Sequence, residues 1–278
     1  MKKLKITLLM LLTSLLAAAQ NPAIYTEKSG SGEVIFFLPG FTTPGSVWNE
    51  SIDNLEGDFT SIKVSYAGFN GLPAIEMPWY PTIKKELLDY IRKEKIRKFS
   101  IVGHSMGGML AMELATEVPE MVSKVILVDA LPCMRALMMP GVPASAIQYE
   151  SPYNKQMLQQ NDSAIAATAL MMSQNMTLNS EKVPLLTKWS IEADRNTFVY
   201  GYTDLLKVDL RPALSKFKAE TLILGATFPD KELVMKNYET QFENLKQKSI
   251  VLAPESKHFI MFDQPEWFYK QLNAFLLK

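Results

Sequence analysis

The stretch that decides the fold class is FSIVGHSMGG, residues 99–108. Its centre has the form Gly-x-Ser-x-Gly, and it lies between an apolar run that predicts a strand and a segment, Gly108–Glu117, that predicts a helix. The glycines on both sides of Ser105 permit an abrupt chain reversal that holds the serine at a strained backbone angle. The motif therefore predicts that the Ser105 hydroxyl is presented as a nucleophile at the carboxyl edge of a sheet.

Outward from this motif, short β-rich apolar runs alternate with segments of helical period, which is typical of an α/β protein with a mostly parallel central sheet flanked by helices. We predict helices at Thr82–Lys93 and Gly108–Glu117, and a last helix from about Pro265. The predicted strands are Val34–Leu38, Ile62–Tyr66, Phe99–Val102, Val125–Val128, Thr221–Leu224 and Ser249–Leu252.

The alternation stops in the middle of the chain, where a long methionine-rich stretch has no convincing strand. We interpret residues 131–209 as a helical cap inserted between two parts of one core, residues 20–130 and 210–278. The cap methionines, among them Met138 and Met172, either fill the small core of the cap itself or line an adaptable acyl or alkyl pocket.

Composition narrows the class of partner. The chain has 278 residues, 47% of them hydrophobic, which is enough for one sizeable core. Its 29 basic and 29 acidic residues balance, so the chain has no overall positive charge that would favour binding to nucleic acid. We therefore expect a small-molecule, ester-like substrate, while the oligomeric state is left open.

The first nineteen residues predict a signal peptide. Lys2, Lys3 and Lys5 precede an apolar run from Ile6 to Leu16, and three alanines follow it. This run of eleven residues is short for a membrane span, which needs about twenty. The interpretation is a protein exported to the periplasm or secreted, with no stable membrane anchor after cleavage before Gln20.

A serine hydroxyl needs a base to take its proton, and the sequence offers two histidines. His104 adjoins Ser105, so its side chain points elsewhere and its expected role is packing beside the turn. His258 is therefore the candidate general base. Two histidines and one cysteine, Cys133, make no plausible zinc set, so we predict neither a metal nor another cofactor.

The motif Gly-His-Ser-Met-Gly-Gly resembles the nucleophile turn of the α/β-hydrolase family, especially its capped esterase-like and lactonase-like members. Leu38-Pro39-Gly40-Phe41 upstream and Lys257-His258-Phe259 downstream extend the resemblance over the predicted mature chain. It implies the α/β-hydrolase fold, with the base following the last strand. It also implies an oxyanion hole formed by the backbone N–H groups of Phe41 and Met106.

The acid of the predicted catalytic triad has two candidates. The common family position corresponds to Phe228 here, and the nearest acid, Asp230, would need a longer loop. Asp129 follows the strand Val125–Val128, where some similar members carry the acid. Asp204 and Asp209 are expected to cap or tether helices, and Asp263 is expected to introduce the last helix.

These residues predict a hydrolase that cleaves a carboxylic ester or lactone through an acyl-enzyme on Ser105. Aminopeptidase and thioesterase activities use the same triad and are the alternatives within catalysis. The alternative from another class is a non-catalytic homologue that only binds ligand. Such a protein should have lost Ser105, His258 or Gly40, the glycine of the predicted oxyanion loop. The sequence keeps all three.

Overall fold

A computed structural model describes residues 21–278, and the predicted signal peptide, residues 1–19, lies outside the described residues. Seven strands among them form one sheet in the order β1-β3-β2-β4-β5-β6-β7. β1 pairs antiparallel with β3, and the other neighbouring pairs are parallel. The strands are β1 (Ile24–Gly30), β2 (Glu33–Leu38), β3 (Phe59–Tyr66), β4 (Phe99–His104), β5 (Val122–Val128), β6 (Glu220–Gly225) and β7 (Lys248–Leu252).

Helices cover both faces of this sheet, so the predicted fold class is confirmed. The core helices connect the strands, and a group of five stands between β5 and β6. In chain order the helices are α1 (Asn49–Asp53), α2 (Trp79–Lys93), α3 (Met106–Glu117), α4 (Met134–Met138), α5 (Pro152–Gln159), α6 (Asp162–Met176), α7 (Val183–Ile191), α8 (Arg195–Lys207), α9 (Lys231–Gln241), α10 (Ile260–Asp263) and α11 (Pro265–Leu276).

The two faces of the sheet bury separate apolar clusters. Side chains alternate along a strand, so Phe36 and Leu38 of β2 pack with residues of α2 and α3, while Ile35 and Phe37 pack on the opposite face with residues of α11. All four side chains are fully buried. A strand buried on both faces reads as a continuous apolar run, which is why β2 was predictable from sequence.

We call residues 134–207, which contain α4 to α8, the insertion; they stand where the sequence predicts the cap. Asp204 ties the insertion to the core: its carboxylate accepts a hydrogen bond of 3.2 Å from the backbone N–H of Tyr80, near the start of α2. The same carboxylate accepts a hydrogen bond from the Tyr149 hydroxyl. These bonds agree with the tethering role expected for Asp204.

The parallel strands bring the predicted site residues to one edge. The sheet order reverses between β2 and β4, and ligands of open α/β sheets bind at such a point, outside the carboxyl ends of the strands. Phe41 follows β2 and Ser105 follows β4. Asp129 comes directly after β5, and His258 lies in the loop after β7.

β1 and α9 are among the elements that were not predicted from the sequence. β1, IYTEKSG, buries only its first residue, Ile24, so it has no alternating apolar pattern to mark it as a strand. α9 buries only Tyr238 and Gln241 among its eleven residues. Within residues 21–278, no helix combines the length and the apolar character that a membrane span requires.

Candidate active site

Ser105 occupies a sharp turn between β4 and α3 with φ 53° and ψ −118°. A positive φ is costly for a residue with a side chain, and strain of this kind clusters at functional sites. Its backbone is held by hydrogen bonds on both sides. The Ser105 N–H donates to Val128 O at 2.9 Å, and Ser105 O accepts from Gly108 N at 2.9 Å.

The turn closes because Gly107 has no side chain. A Cβ atom added there would lie 2.1 Å from Leu38 O and 2.5 Å from Pro39 O. Both oxygens belong to backbone that cannot move without displacing the end of β2 and its following loop. Gly107 is therefore needed for close packing between α3 and the loop that contains Phe41.

His258 and Asp129 form a hydrogen-bonded pair beside this turn. Nδ1 of His258 lies 2.5 Å from Oδ2 of Asp129. The second carboxylate oxygen, Oδ1, accepts hydrogen bonds from the Tyr238 hydroxyl at 2.6 Å and from Ala226 N–H at 3.0 Å. Since Nδ1 is engaged with the carboxylate, Nε2 is the ring nitrogen that can exchange a proton with another group.

The electrostatics keep Asp129 ionised despite its burial. Burial alone would raise the pKa of this carboxyl, but the hydrogen bond and charge of His258, together with the Tyr238 and Ala226 donors, outweigh it and hold the pKa below its usual value. Burial, with the adjacent Asp129 charge, raises the pKa of Tyr238 well above its usual value. Tyr238 therefore stays a neutral donor to a negative acceptor.

Asp230, the other candidate acid, does not bind the imidazole. Its Oδ1 accepts a hydrogen bond of 2.8 Å from Leu233 N–H, and the residue caps the N-terminus of α9. The reason is local: Asp230 directly precedes a helix whose first N–H groups need an acceptor. The structure thus brings Asp129, and not Asp230, to His258.

His104 has a contact that its predicted packing role does not include. Its Nε2 lies 3.0 Å from the backbone O of His258, and because a carbonyl only accepts, Nε2 must carry the proton. Burial, reinforced by the neighbouring His258, lowers the pKa of His104 to about 3, so the ring is neutral. The two imidazole centroids lie 4.5 Å apart. His104 therefore supports the loop that carries His258.

Phe41 and Met106, the predicted oxyanion-hole residues, flank the serine. Met106 is the first residue of α3, so its N–H has no acceptor within the helix. Phe41 follows Gly40, where an added Cβ would lie 3.3 Å from Cβ of Ser105. Close approach of this loop to the serine is thus possible because residue 40 is glycine.

Ser105 and His258 face common space. Both line a cleft of about 380 Å³, and both also line a smaller pocket of about 70 Å³, with Phe41 present in each. The rest of the cleft is mainly apolar and comes from the segment after β5 and from α4, α8 and α9. A serine hydroxyl, an imidazole and two backbone donors around an apolar cleft can carry out acyl transfer.

The loop that carries His258 is bound directly to the end of α6. Phe259 N–H donates to Met176 O at 3.0 Å, and Lys257 Nζ donates to Gln174 O at 2.7 Å. Asp263 adds a carboxylate that accepts from Lys257 N at 2.8 Å and from Leu178 N at 2.9 Å. Asp263, expected to introduce the last helix, instead joins the insertion to the loop, and Gln264 precedes that helix.

Comparison with known families gives one match over most of the chain. Residues 35–271 match the sequence model of a family described as "Alpha/beta hydrolase family". A pimeloyl-(acyl-carrier protein) methyl ester esterase of Legionella pneumophila (strain Paris) is 30% identical over 109 residues. That alignment covers 39% of this chain and 43% of the relative. The chain therefore aligns with less than half of this relative's length.

Solved structures agree in fold over nearly the whole chain. An esterase from Exiguobacterium antarcticum has a TM-score of 0.77 at 20% identity, covering 93% of this chain and 99% of that one. An enol-lactonase from Burkholderia xenovorans has a TM-score of 0.74 at 16% identity, covering 94% and 99% of the two chains. At these identities the similarity is one of fold.

Proposed function

Because this chain belongs to the α/β-hydrolase family, we propose that it is an exported serine hydrolase that cleaves a carboxylic ester or lactone. The observation that carries the proposal is the His258–Asp129 pair, 2.5 Å between Nδ1 and Oδ2, on the cleft that Ser105 also lines. The names of its relatives, a methyl ester esterase and an enol-lactonase, support the same reaction class.

In the proposed reaction, Ser105 Oγ attacks the substrate carbonyl carbon while Nε2 of His258 takes the hydroxyl proton. The negative charge that develops on the carbonyl oxygen is stabilised by the N–H groups of Phe41 and Met106. Protonation of Nε2 converts His258 to an imidazolium. Asp129, which contacts Nδ1, stabilises this positive charge. His258 then gives its proton to the leaving alkoxide, and the carbon–oxygen bond breaks to leave an acyl group on Ser105.

The second half-reaction uses the same groups. Water replaces the alcohol in the site, His258 takes a proton from it, and the oxygen attacks the acyl carbonyl. Collapse of this intermediate breaks the bond to Ser105, whose oxygen regains its proton from His258, and the acid product leaves. No atom of the chain is consumed, so the cycle returns to its starting state.

The test of the nucleophile is labelling of the purified mature chain with a fluorophosphonate probe. We expect the label on Ser105, and we expect Ser105→Ala to abolish it while leaving the thermal unfolding transition unchanged. Ser123→Ala, which removes an exposed serine of β5, is the matched control and should label fully. Undiminished labelling of Ser105→Ala would contradict the proposal.

A substrate panel tests the reaction class. p-Nitrophenyl esters, lactones, acyl thioesters and amino-acid anilides should be compared at equal concentration, with the highest kcat/KM expected among the oxygen esters or lactones. Preference for the anilides or thioesters would indicate an aminopeptidase or a thioesterase on the same triad. Labelling without turnover of any substrate would favour a ligand-binding homologue.

Export is tested separately in the native host, by measuring the mass of the accumulated protein and its distribution between fractions. We expect the mature chain to begin at Gln20 and to be found outside the cytoplasm. An intact Met1 terminus on the cytoplasmic protein would contradict this part of the proposal and leave the reaction class untouched.

A further inference from the structure

Besides the cleft at Ser105, a second cavity lies inside the insertion. It measures about 430 Å³, and every described residue that lines it falls between positions 157 and 199, on or beside α5 to α8. The sheet contributes none of its described lining. This cavity is thus a property of the inserted helices themselves, distinct from the cleft that α4 and α9 form against the core.

The small pocket at Ser105 borders both spaces. Ser105 and His258 line it at one end, and Met172, Ser190 and Phe198 line both this pocket and the insertion cavity. We call these three shared residues the neck. The pocket on the serine side of the neck measures about 70 Å³, and the insertion cavity on its other side measures about 430 Å³. Ser105 therefore lines the cleft directly, and the small pocket and the neck lie between it and the insertion cavity.

The chemistry of the insertion cavity suits an uncharged group. Its apolar lining includes Ile165 and Ala169 of α6 and Val199 of α8. The two charged residues that line it, Asp162 and Arg195, form an ion pair of 2.9 Å with each other. The Asp162 side chain is fully exposed, which places this pair on the solvent side of the cavity. An alkyl or aryl group would be buried there without an unpaired charge.

An ester has two parts, which leave the reacting carbonyl carbon in different directions, and two mainly apolar spaces border the pocket at Ser105. We propose that the substrate carries an apolar group larger than methyl on both sides of its ester bond, one in the cleft and one passing the neck into the insertion cavity. This inference rests on the proposed function. It distinguishes the chain from an enzyme that takes methyl esters, which would leave one of the two spaces empty.

The experiment lengthens each side of the ester independently. One series is methyl esters of acids from acetate to octanoate, and the other is acetates of alcohols from methanol to octanol, with hydrolysis followed by pH-stat titration. Each methylene moved from water into an apolar space contributes a gain of about four-fold. We expect kcat/KM to rise in both series, and we expect the gains to multiply in an ester with both sides extended.

Filling variants connect each series to its own space. Ile165→Trp reduces the insertion cavity, and Met134→Trp reduces the cleft. Each should lower the gain per methylene in one series at least two-fold, and the two variants should act on different series. Ala167→Trp, on an exposed position of the same helix as Ile165, is the matched control and should leave both series unchanged. If Ile165→Trp does not fold, Ser190→Leu at the neck provides the same test.

The outcomes separate the inference from the proposed function. Gains in one series only, or filling variants that both act on the same series, would overturn the inference while methyl acetate hydrolysis and labelling of Ser105 persist. Absence of both hydrolysis and labelling would instead overturn the proposed function. Gains in both series with separate variant effects support the two-sided substrate.

Discussion

The Tyr238 hydroxyl donates a hydrogen bond of 2.6 Å to Oδ1 of Asp129, opposite the oxygen that faces His258. The ring of Tyr238 is confined: a Cβ added at Gly225 would lie 2.5 Å from it, and it stacks on Phe242 with a centroid distance of 6.2 Å. The tyrosine is therefore a fixed support for the carboxylate. Its expected role is to position the triad acid without touching substrate.

Tyr238→Phe should lower kcat/KM about ten-fold to a hundred-fold, since a hydrogen bond to a charged group contributes about 1.5–3 kcal/mol. Loss of this donor raises the pKa of Asp129, because the hydrogen bond is one of the interactions that lower it. The carboxylate is then protonated at a higher pH, so the acid limb of the kcat/KM profile should move upward. Tyr269→Phe, which removes a hydroxyl on α11, is the control. An unshifted profile would reduce Tyr238 to a packing role.

Replacing each candidate acid identifies the one that acts in catalysis. Asp129→Asn should lower kcat by about four orders of magnitude, because the amide no longer stabilises the imidazolium or fixes its tautomer. Asp230→Asn should leave kcat nearly unchanged, since asparagine caps a helix about as well as aspartate. The measurement is steady-state kinetics on one ester. A large loss in Asp230→Asn alone would reverse the assignment.

His104 should make the fold sensitive to acid. Its pKa is about 3 in the folded chain against an ordinary value of 6.5, so between these values the unfolded state binds a proton that the folded state does not. The contribution of His104 to the free energy of unfolding is therefore fully present above about pH 6.5, and it is lost as the pH falls towards 3. Between pH 7 and pH 5, the free energy of unfolding should fall by about 2 kcal/mol because of this group.

His104→Gln retains a donor for the His258 carbonyl and cannot titrate in this range. Urea unfolding of both proteins at the two pH values measures the difference directly. When the pH is lowered from 7 to 5, the unfolding free energy of the variant should fall by about 2 kcal/mol less than that of the wild-type chain. Equal losses would show that His104 does not couple folding to pH.

Asp263→Asn tests the connection between the insertion and the loop of His258. The charged acceptor is lost at the N–H groups of Lys257 and Leu178, so the unfolding free energy should fall by about 1.5–3 kcal/mol. We also expect a lower kcat for small and large esters alike, because the loop holds the base. Asp53→Asn, an exposed position in α1, is the control. A loss confined to stability would separate the connection from catalysis.

Local sequence was sufficient for the strands that are buried on both faces and for the turn at Ser105, because their apolar runs and glycines act over a few residues. β1 was not predicted because most of its side chains are polar and at least partly exposed. Its pairing with β3 depends on residues that are distant in sequence. The choice between Asp129 and Asp230 was open for a related reason. It depends on which strand end lies beside His258, and that distance is set by the whole sheet.

Tyr238 and the His104 contact gave no signal in the sequence. Tyr238 lies on a mainly polar helix, and its partner Asp129 is 109 positions away. His104 was assigned to packing because its neighbour Ser105 occupies the turn, yet its imidazole reaches a carbonyl 154 positions along the chain. In both cases the partner is a single polar atom, and no periodicity records such a pairing.

The bonds between the end of α6 and the loop of His258 have a consequence for substrate entry. If residues 174–178 swung away from the core to admit a substrate, they would draw the imidazole with them and separate it from its serine. With this end open, the base would be separated from the serine and the protein would be inactive. Hydrolysis would begin only after residues 174–178 had returned to the core. The cleft between α4 and α9 offers substrate a route to Ser105 that leaves these bonds intact.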